Sequence, residues 1–296
     1  MTGYTVIIPT LGRESLDVVV NAIRHGDGPP PDEIIVVYDE FGRGPAAARN
    51  AGWRRAASEW VVFVDDDVVP PPDWKRQLTK DLAAAGNDVA ASQARIEVPL
   101  PRDRRPTDWE RNTAGLAEAK WITADMAYRR SVLLETGGFD ERFPRAYRED
   151  ADLALRVMDL GYRVVRGDRV TTHPVRRTGF FTSVKQQRGN ADDALMRKLH
   201  GPRWREKIGG RRGKLREHAL TTFLAAVALL CGLSGKRRAA AAAVLGWAAL
   251  TARFAAQRIA PGPRTAPEIV RMIVTSAAIP PAACLHRARG ELRVRA

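Results

Sequence analysis

Short β-branched apolar runs alternate with helical spacing along the first part of the chain. Tyr4 to Ile8, Ile34 to Tyr38 and Val61 to Val64 read as buried strands, and helical patterns begin at about Ser15 and Pro45. This alternation predicts a parallel sheet covered by helices. In such sheets ligands collect beyond the carboxyl ends of the strands, and these runs end at Pro9-Thr10, Asp39-Glu40 and Asp65-Asp66-Asp67. Three polar strand ends are therefore expected at one crevice. Further on, Thr123 to Arg130 reads as a strand, followed by a short helix and a glycine turn at Gly137-Gly138. Glu149, Asp150 and Asp152 open a helix whose apolar stripe runs Leu153, Val157 and Leu160 before Gly161 ends it. Val164 to His173 is again strand-like.

The pattern changes after Leu199. Arg197, Lys198, Arg203, Arg205, Lys207, Arg211, Arg212, Lys214 and Arg216 face only Glu206 among acids, and apolar segments follow at Ala219 to Gly235, Ala239 to Ala252 and Ile269 to Leu285. Each segment is at or below the roughly 17 to 25 residues of a straightforward membrane span. Two short spans, a re-entrant hairpin and helices lying in the interface all remain open, as does an Ala-rich bundle packed on the preceding domain. The expected division is a catalytic domain over 1–205 and a basic, hydrophobic helical tail over 206–296.

Charge sharpens that division. Residues 1–150 carry 20 Lys and Arg against 25 Asp and Glu, whereas 151–296 carry 28 against 9. With few aromatic platforms among the basic residues, Trp204 being the main one, an anionic membrane surface is the expected partner rather than nucleic acid. A chain of 296 residues with 45% hydrophobic content can bury one large core, or a domain plus an appendage. Cys231 and Cys284 form no CxxC motif and no disulfide framework, which fits a reducing compartment. The N-terminus enters a strand pattern at once, so the first half is expected in the cytoplasm.

The strongest candidate chemistry is the acid triplet. A helix cap or solvated turn needs one carboxylate, and three adjacent like charges call for a cation. Asp65 and Asp67, two apart, are better placed than neighbours to span a hydrated divalent ion and a ligand hydroxyl, and oxygen ligation favours Mg²⁺ or Mn²⁺. Gly42 to Gly52 reads as a Gly-rich loop and a helix with Pro in its first turn. Its backbone N–H groups suit a phosphate, to which Arg49 could add donors; the same residues equally describe an Ala-rich helix packed closely on the sheet.

Taken in order, Val6-Ile7-Ile8-Pro9-Thr10, Val36-Val37-Tyr38-Asp39-Glu40, Ala48-Arg49-Asn50-Ala51-Gly52 and Val64-Asp65-Asp66-Asp67 resemble the family 2 glycosyltransferases. The resemblance implies the GT-A fold, an α/β Rossmann-like and mostly parallel sheet flanked by helices. It further implies inverting transfer of sugar from a nucleotide-sugar donor. By it, Asp65 and Asp67 form a DxD motif that holds the metal and touches the donor, and Asp39 contacts the nucleotide base with Pro9 and Thr10 nearby. Tyr38 and Glu40 stand where a second Asp and a Gly often flank that contact, which leaves the base open. Asp125 and Gly138 fall in a block that lines the acceptor side in the family. Glu149-Asp150 matches the family's Glu-Asp motif, with Asp150 the expected base and Glu149 its reserve.

His173 would complete the metal shell, as in many GT-A enzymes. Gln187 and Arg188 loosely match the family's loop over the donor diphosphate. Gly189 follows where processive synthases carry Trp, which points to transfer of a single sugar. The expected reaction is metal-assisted transfer to a lipid-linked or cell-envelope glycan acceptor, at the cytoplasmic face of a membrane. A nucleotidyltransferase and a non-catalytic nucleotide-sugar-binding scaffold are the alternatives. The Glu149-Asp150 pair argues against both.

Overall fold

The strands form where the chain offers uninterrupted β-branched and aromatic residues for two-sided burial. In the computed structural model, which describes residues 2–210 and 213–295, β1 (Tyr4–Thr10) and β3 (Trp60–Val64) are buried along their whole length. Met1, Ala296 and two members of the basic run, Arg211 and Arg212, lie outside the described residues. Helix α1 (Ser15–His25) leads to β2 (Glu33–Tyr38), and α2 (Pro45–Trp53) leads from β2 to β3. Then come α3 (Trp74–Ala83), β4 (Val89–Glu97), α4 (Asp108–Ala114), β5 (Asp125–Arg129), α5 (Arg130–Thr136), α6 (Glu149–Asp159) and β6 (Arg163–Thr172).

The six strands lie in the order β2-β1-β3-β5-β4-β6. Pairs β1–β2, β1–β3 and β4–β6 are parallel, while β5 runs antiparallel to both β3 and β4. Alternate residues feed two cores. Val6, Ile8, Val62 and Val64 meet Val19, Ile23 and Leu78 on one face; Ile7, Val61 and Phe63 meet Leu133, Phe139, Leu153 and Val157 on the other. β4 has no counterpart in the sequence reading, because Val89-Ala90-Ala91-Ser92-Gln93-Ala94 lacks a β-branched run. Tertiary pairing on both sides makes it a strand.

The remaining helices are α7 (Thr182–Lys185), α8 (Gly189–His200), α9 (Trp204–Lys207), α10 (Leu215–Leu233), α11 (Arg237–Ile259) and α12 (Ala266–Arg295). Two compact units interleave along the chain: Met1–Pro99, Ala114–Val175 and Glu206–Gly210 form the first, and Leu100–Thr113, Arg176–Arg205 and Arg211–Ala296 the second. This differs from a single boundary at 205, for reasons of packing. α8 buries Ala194, Leu195 and Met196 and lies so close to α12 that a Cβ on Gly290 would sit 2.6 Å from the Ala191 Cα. Arg258 of α11 pairs with Asp108 of α4 at 2.7 Å.

Flanking residues continue each apolar run of the tail into a longer helix, of 19, 23 and 30 residues. All three are long and apolar enough to cross a membrane by length and composition. Leu220, Phe223, Leu229, Leu230 and Leu233 are exposed along α10, an apolar surface that water would not favour.

Candidate active site

Strands β1, β2 and β3 deliver their carboxyl ends side by side, with Thr10 in register with Tyr38. The three acids after β3 then part company. Asp66 turns inward, is 1% exposed, and accepts a hydrogen bond from Thr10 Oγ1 at 2.5 Å as well as an ion pair from Arg13. It locks the end of β1 to the end of β3. Asp65 stays partly open and accepts from Arg49 Nη2 at 2.8 Å. Asp67 is buried, with its Oδ2 3.6 Å from His173 Nε2. β6 and the residue after it thus carry His173 to the acid triplet.

Asp39 caps the Gly-rich loop after β2. Its two oxygens accept from the Arg43 and Gly44 N–H groups at 2.8 and 2.7 Å. Gly44 has φ 93°, and a Cβ there would lie 2.6 Å from the Pro144 carbonyl oxygen, so the loop needs glycine at this point. Pro9 and Thr10 are both buried within the β1–β2 pair.

Arg49 departs from its expected place on the donor phosphates. It is 2% exposed, and its Nη1 donates to Glu149 Oε1 at 2.7 Å while Nη2 holds Asp65. Both outer nitrogens of the fork are taken by protein carboxylates, so Arg49 joins the end of β3 to the start of α6. Asn50 beside it donates to the Phe139 carbonyl and accepts from the Phe139 N–H and Trp53 Nε1, each at 2.8 or 2.9 Å. The Ala48-to-Gly52 motif is thereby latched to the Gly137-Gly138-Phe139 turn.

Glu149 and Asp150 begin α6 directly after Arg148, whose φ of 81° is uncommon for a residue with a side chain. Glu149 is 1% exposed, and its Oε2 has no hydrogen-bond partner among the described residues. Burial first, then the neighbouring Asp150, pushes its carboxyl up to about 8 against the opposing pull of Arg49. Asp150 is half-buried, accepts from the Ala151 N–H at 2.7 Å, and is also raised by burial, with Asp65 adding to the shift. Arg49 bridges Asp65 and Glu149, and Arg49 and Arg148 both oppose the rise at Asp150.

Two residues expected on the acceptor side are placed elsewhere. Asp125 is fully buried and accepts from Trp74 Nε1 at 2.6 Å, Arg169 Nε at 2.9 Å and Thr171 Oγ1, a network that ties β5 to α3 and β6. Gly138 has φ 77° and lies where a Cβ would be 2.5 Å from both Asn50 Oδ1 and Trp53 Nε1. Both positions hold structure together. Gln187 and Arg188 belong to the second unit, in a 3₁₀ turn where Gln187 Nε2 donates to the Ser183 carbonyl at 3.0 Å. Tyr128, which sequence reasoning passed over, is buried and feels Asp150 electrostatically; a lone Tyr within an apolar strand carries no signal that would single it out.

No cluster of three or more His, Cys, Asp or Glu side chains able to hold a metal exists among the described residues. Asp67 and His173 offer one oxygen and one nitrogen donor 3.6 Å apart, types that a Mg²⁺- or Mn²⁺-type ion accepts.

Residues 30–152 match the family described as Glycosyl transferase family 2. The chain is 28% identical over 143 residues to the Pre-mycofactocin glycosyltransferase of Mycobacterium tuberculosis, covering 45% of this chain and 30% of that protein. It is 30% identical over 90 residues to the Succinoglycan biosynthesis protein ExoO of Rhizobium meliloti, covering 30% and 24%. The chain thus spans under a third of the length of these curated relatives. Among solved structures, mannosyltransferase PcManGT from Pyrobaculum calidifontis, in complex with GDP-Man and Mn²⁺, superposes with a TM-score of 0.57 at 21% identity, covering 96% of this chain and 86% of that one. That likeness bears on the fold. The matched residues run from the turn before β2 into α6 and take in Asp39, Arg49, the acid triplet and the Glu149-Asp150 pair; over this stretch the chain is similar to the family 2 glycosyltransferases, and its fold is that of the GT-A enzymes.

Proposed function

We propose that this protein transfers a single sugar, with inversion, from a nucleotide-diphosphate sugar to a lipid-linked or cell-envelope glycan acceptor, at the cytoplasmic face of a membrane. The observation that carries the reading is the Arg49 bridge, which draws a carboxylate of the β3 end and the acid pair of α6 into one site. Asp39 and the loop it caps, with Pro9 and Thr10 behind them, form the nucleotide side. Asp67, Asp65 and His173 would hold Mg²⁺ or Mn²⁺, which when bound supplies positive charge against the departing diphosphate. Support for that donor and metal comes from the complex with GDP-Man and Mn²⁺ named for PcManGT.

Asp150 takes the proton of the attacking acceptor hydroxyl. It is half-open where Glu149 is closed, and its raised affinity for a proton brings it nearer the working pH of a base. Glu149, fixed on Arg49, sets the start of α6 and so the aim of Asp150. The glycan acceptor is supported by a relative named for succinoglycan biosynthesis, and membrane attachment by the three apolar helices.

The test is a thermal-shift screen of nucleoside diphosphates with and without Mn²⁺. We expect one base to stabilise the protein only when the metal is present, and Asp67→Asn to abolish that gain. Binding that ignores Mn²⁺ overturns the metal assignment, and no binding of any nucleotide overturns the reaction.

A further inference from the structure

The second unit contains a cavity of about 450 Å³ whose wall includes Arg111, Lys214, Arg258 and Arg271 but only one carboxylate, Asp108. Asp108 accepts from Arg258 Nη2 at 2.7 Å and from Arg111 Nη2 at 3.4 Å, so one acid is shared by two guanidiniums. The other two cations have neutral partners. Lys214 Nζ donates to Gln257 Oε1 at 2.6 Å and stands 5.5 Å above the Phe254 ring, while Arg271 donates to the Phe180 and Gly179 carbonyls at 3.0 and 2.5 Å. An excess of positive charge in a partly desolvated wall is favourable only when an anion shares the space.

The position of the cavity limits what that anion is. Lys214 precedes α10, Arg258 ends α11 and Arg271 lies near the start of α12, so the cations gather where the three apolar helices start, end and start again. Exposed apolar side chains continue from there, Leu220 and Phe223 on α10 and Val270, Ile273 and Val274 on α12. Phe254 and Ile279 add apolar surface to the cavity wall itself. A free nucleotide or an acidic peptide has no use for such flanks, whereas a lipid does: its charged head meets the cations and its chains follow the helices.

We infer that this cavity binds the phosphomonoester headgroup of a membrane lipid. The inference rests on the membrane-attached reading of the second unit. The chemistry it shares with inorganic phosphate is the dianion, which a wall whose cations outnumber its carboxylate favours over a singly charged headgroup.

The test uses the full chain, floated with phosphatidylcholine vesicles that contain either phosphatidic acid or phosphatidylserine at matched total charge. We expect tighter retention on phosphatidic acid. Arg271→Gln and Lys214→Gln should each reduce that preference about fivefold, as expected for loss of one cation near an anionic surface. Arg203→Gln, at an exposed position outside the cavity wall, should weaken both kinds of vesicle alike. Lys214 is exposed, so its variant keeps the fold and isolates the charge. Equal retention on the two charge-matched vesicles overturns the cavity assignment and leaves membrane attachment standing. Failure to float with any vesicle overturns membrane attachment, and the headgroup site with it. Loss of the preference on adding millimolar inorganic phosphate is the competition expected of one site for the dianion, whereas a preference that phosphate leaves unchanged, and that neither variant reduces, overturns the cavity as its source.

Discussion

Replacing Arg49 with Gln removes the cation that stands between Asp65 and Glu149, and its effect should depend on pH in a calculable way. In the wild type the Glu149 carboxyl is raised from its ordinary 4.5 to about 8, so below that pH it is mostly protonated in the folded state whether or not Arg49 is present. From about pH 4.5 to 8 the folded protein holds a proton that the unfolded chain has released, and stability falls as pH rises in both proteins alike. The variant there loses mainly the charged hydrogen bond to Asp65 and the packing of the fork, about 1.5–3 kcal/mol. Above pH 8 the two separate. Wild-type Glu149 ionises against Arg49 and its slope vanishes, while the variant, with no cation to receive the charge, keeps the proton and loses a further ~1.4 kcal/mol per pH unit. The assay is chemical unfolding of the full chain in detergent, followed through the buried tryptophans Trp53, Trp60 and Trp74 between pH 7 and pH 9. Adding Glu149→Gln to the variant should remove the part of the extra slope that comes from Glu149, because that carboxyl is gone. A difference between wild type and Arg49→Gln that stays constant from pH 7 to pH 9 refutes the reasoning, since it would mean that Arg49 does not govern the ionisation of Glu149.

Asp150→Asn should lower kcat by about 10²–10⁴-fold while the Mn²⁺-dependent thermal shift with nucleoside diphosphate is kept; near-normal turnover would reassign the base. Gly138→Ala should destabilise by at least about 2 kcal/mol, because the new Cβ needs a left-handed backbone and meets Asn50 and Trp53, which are bonded to each other; the unfolding midpoint reports this. Thr10→Val keeps the shape of the β1 end but takes a hydrogen bond from buried Asp66, and a loss of about 1–3 kcal/mol in unfolding free energy is expected.

The amino-acid sequence by itself determined the strands β1, β2 and β3, the polar residues at their ends, the helix opened by Glu149 and Asp150, and the apolar tail. Those features are local: two-sided burial demands β-branched runs, and carboxylates after a buried strand mark a polar terminus. It did not reveal β4, whose small residues become a strand only between β5 and β6. It set Asp65 and Asp67 apart from Asp66 by their spacing, but did not settle the partner that each of the three takes. The turn after β3 sends Asp66 to Thr10 and Arg13, Asp65 to Arg49 and Asp67 toward His173, and a direction of that kind depends on partners distant along the chain. The same reason moved Arg49 from a presumed phosphate donor to a buried bridge, and Asp125 and Gly138 from an acceptor surface to the interior. Residue types announced that charged chemistry gathers at this sheet edge; only the tertiary structure decided which charges answer one another and which stay open to a ligand, because pairing between charges is settled by distance and burial in space.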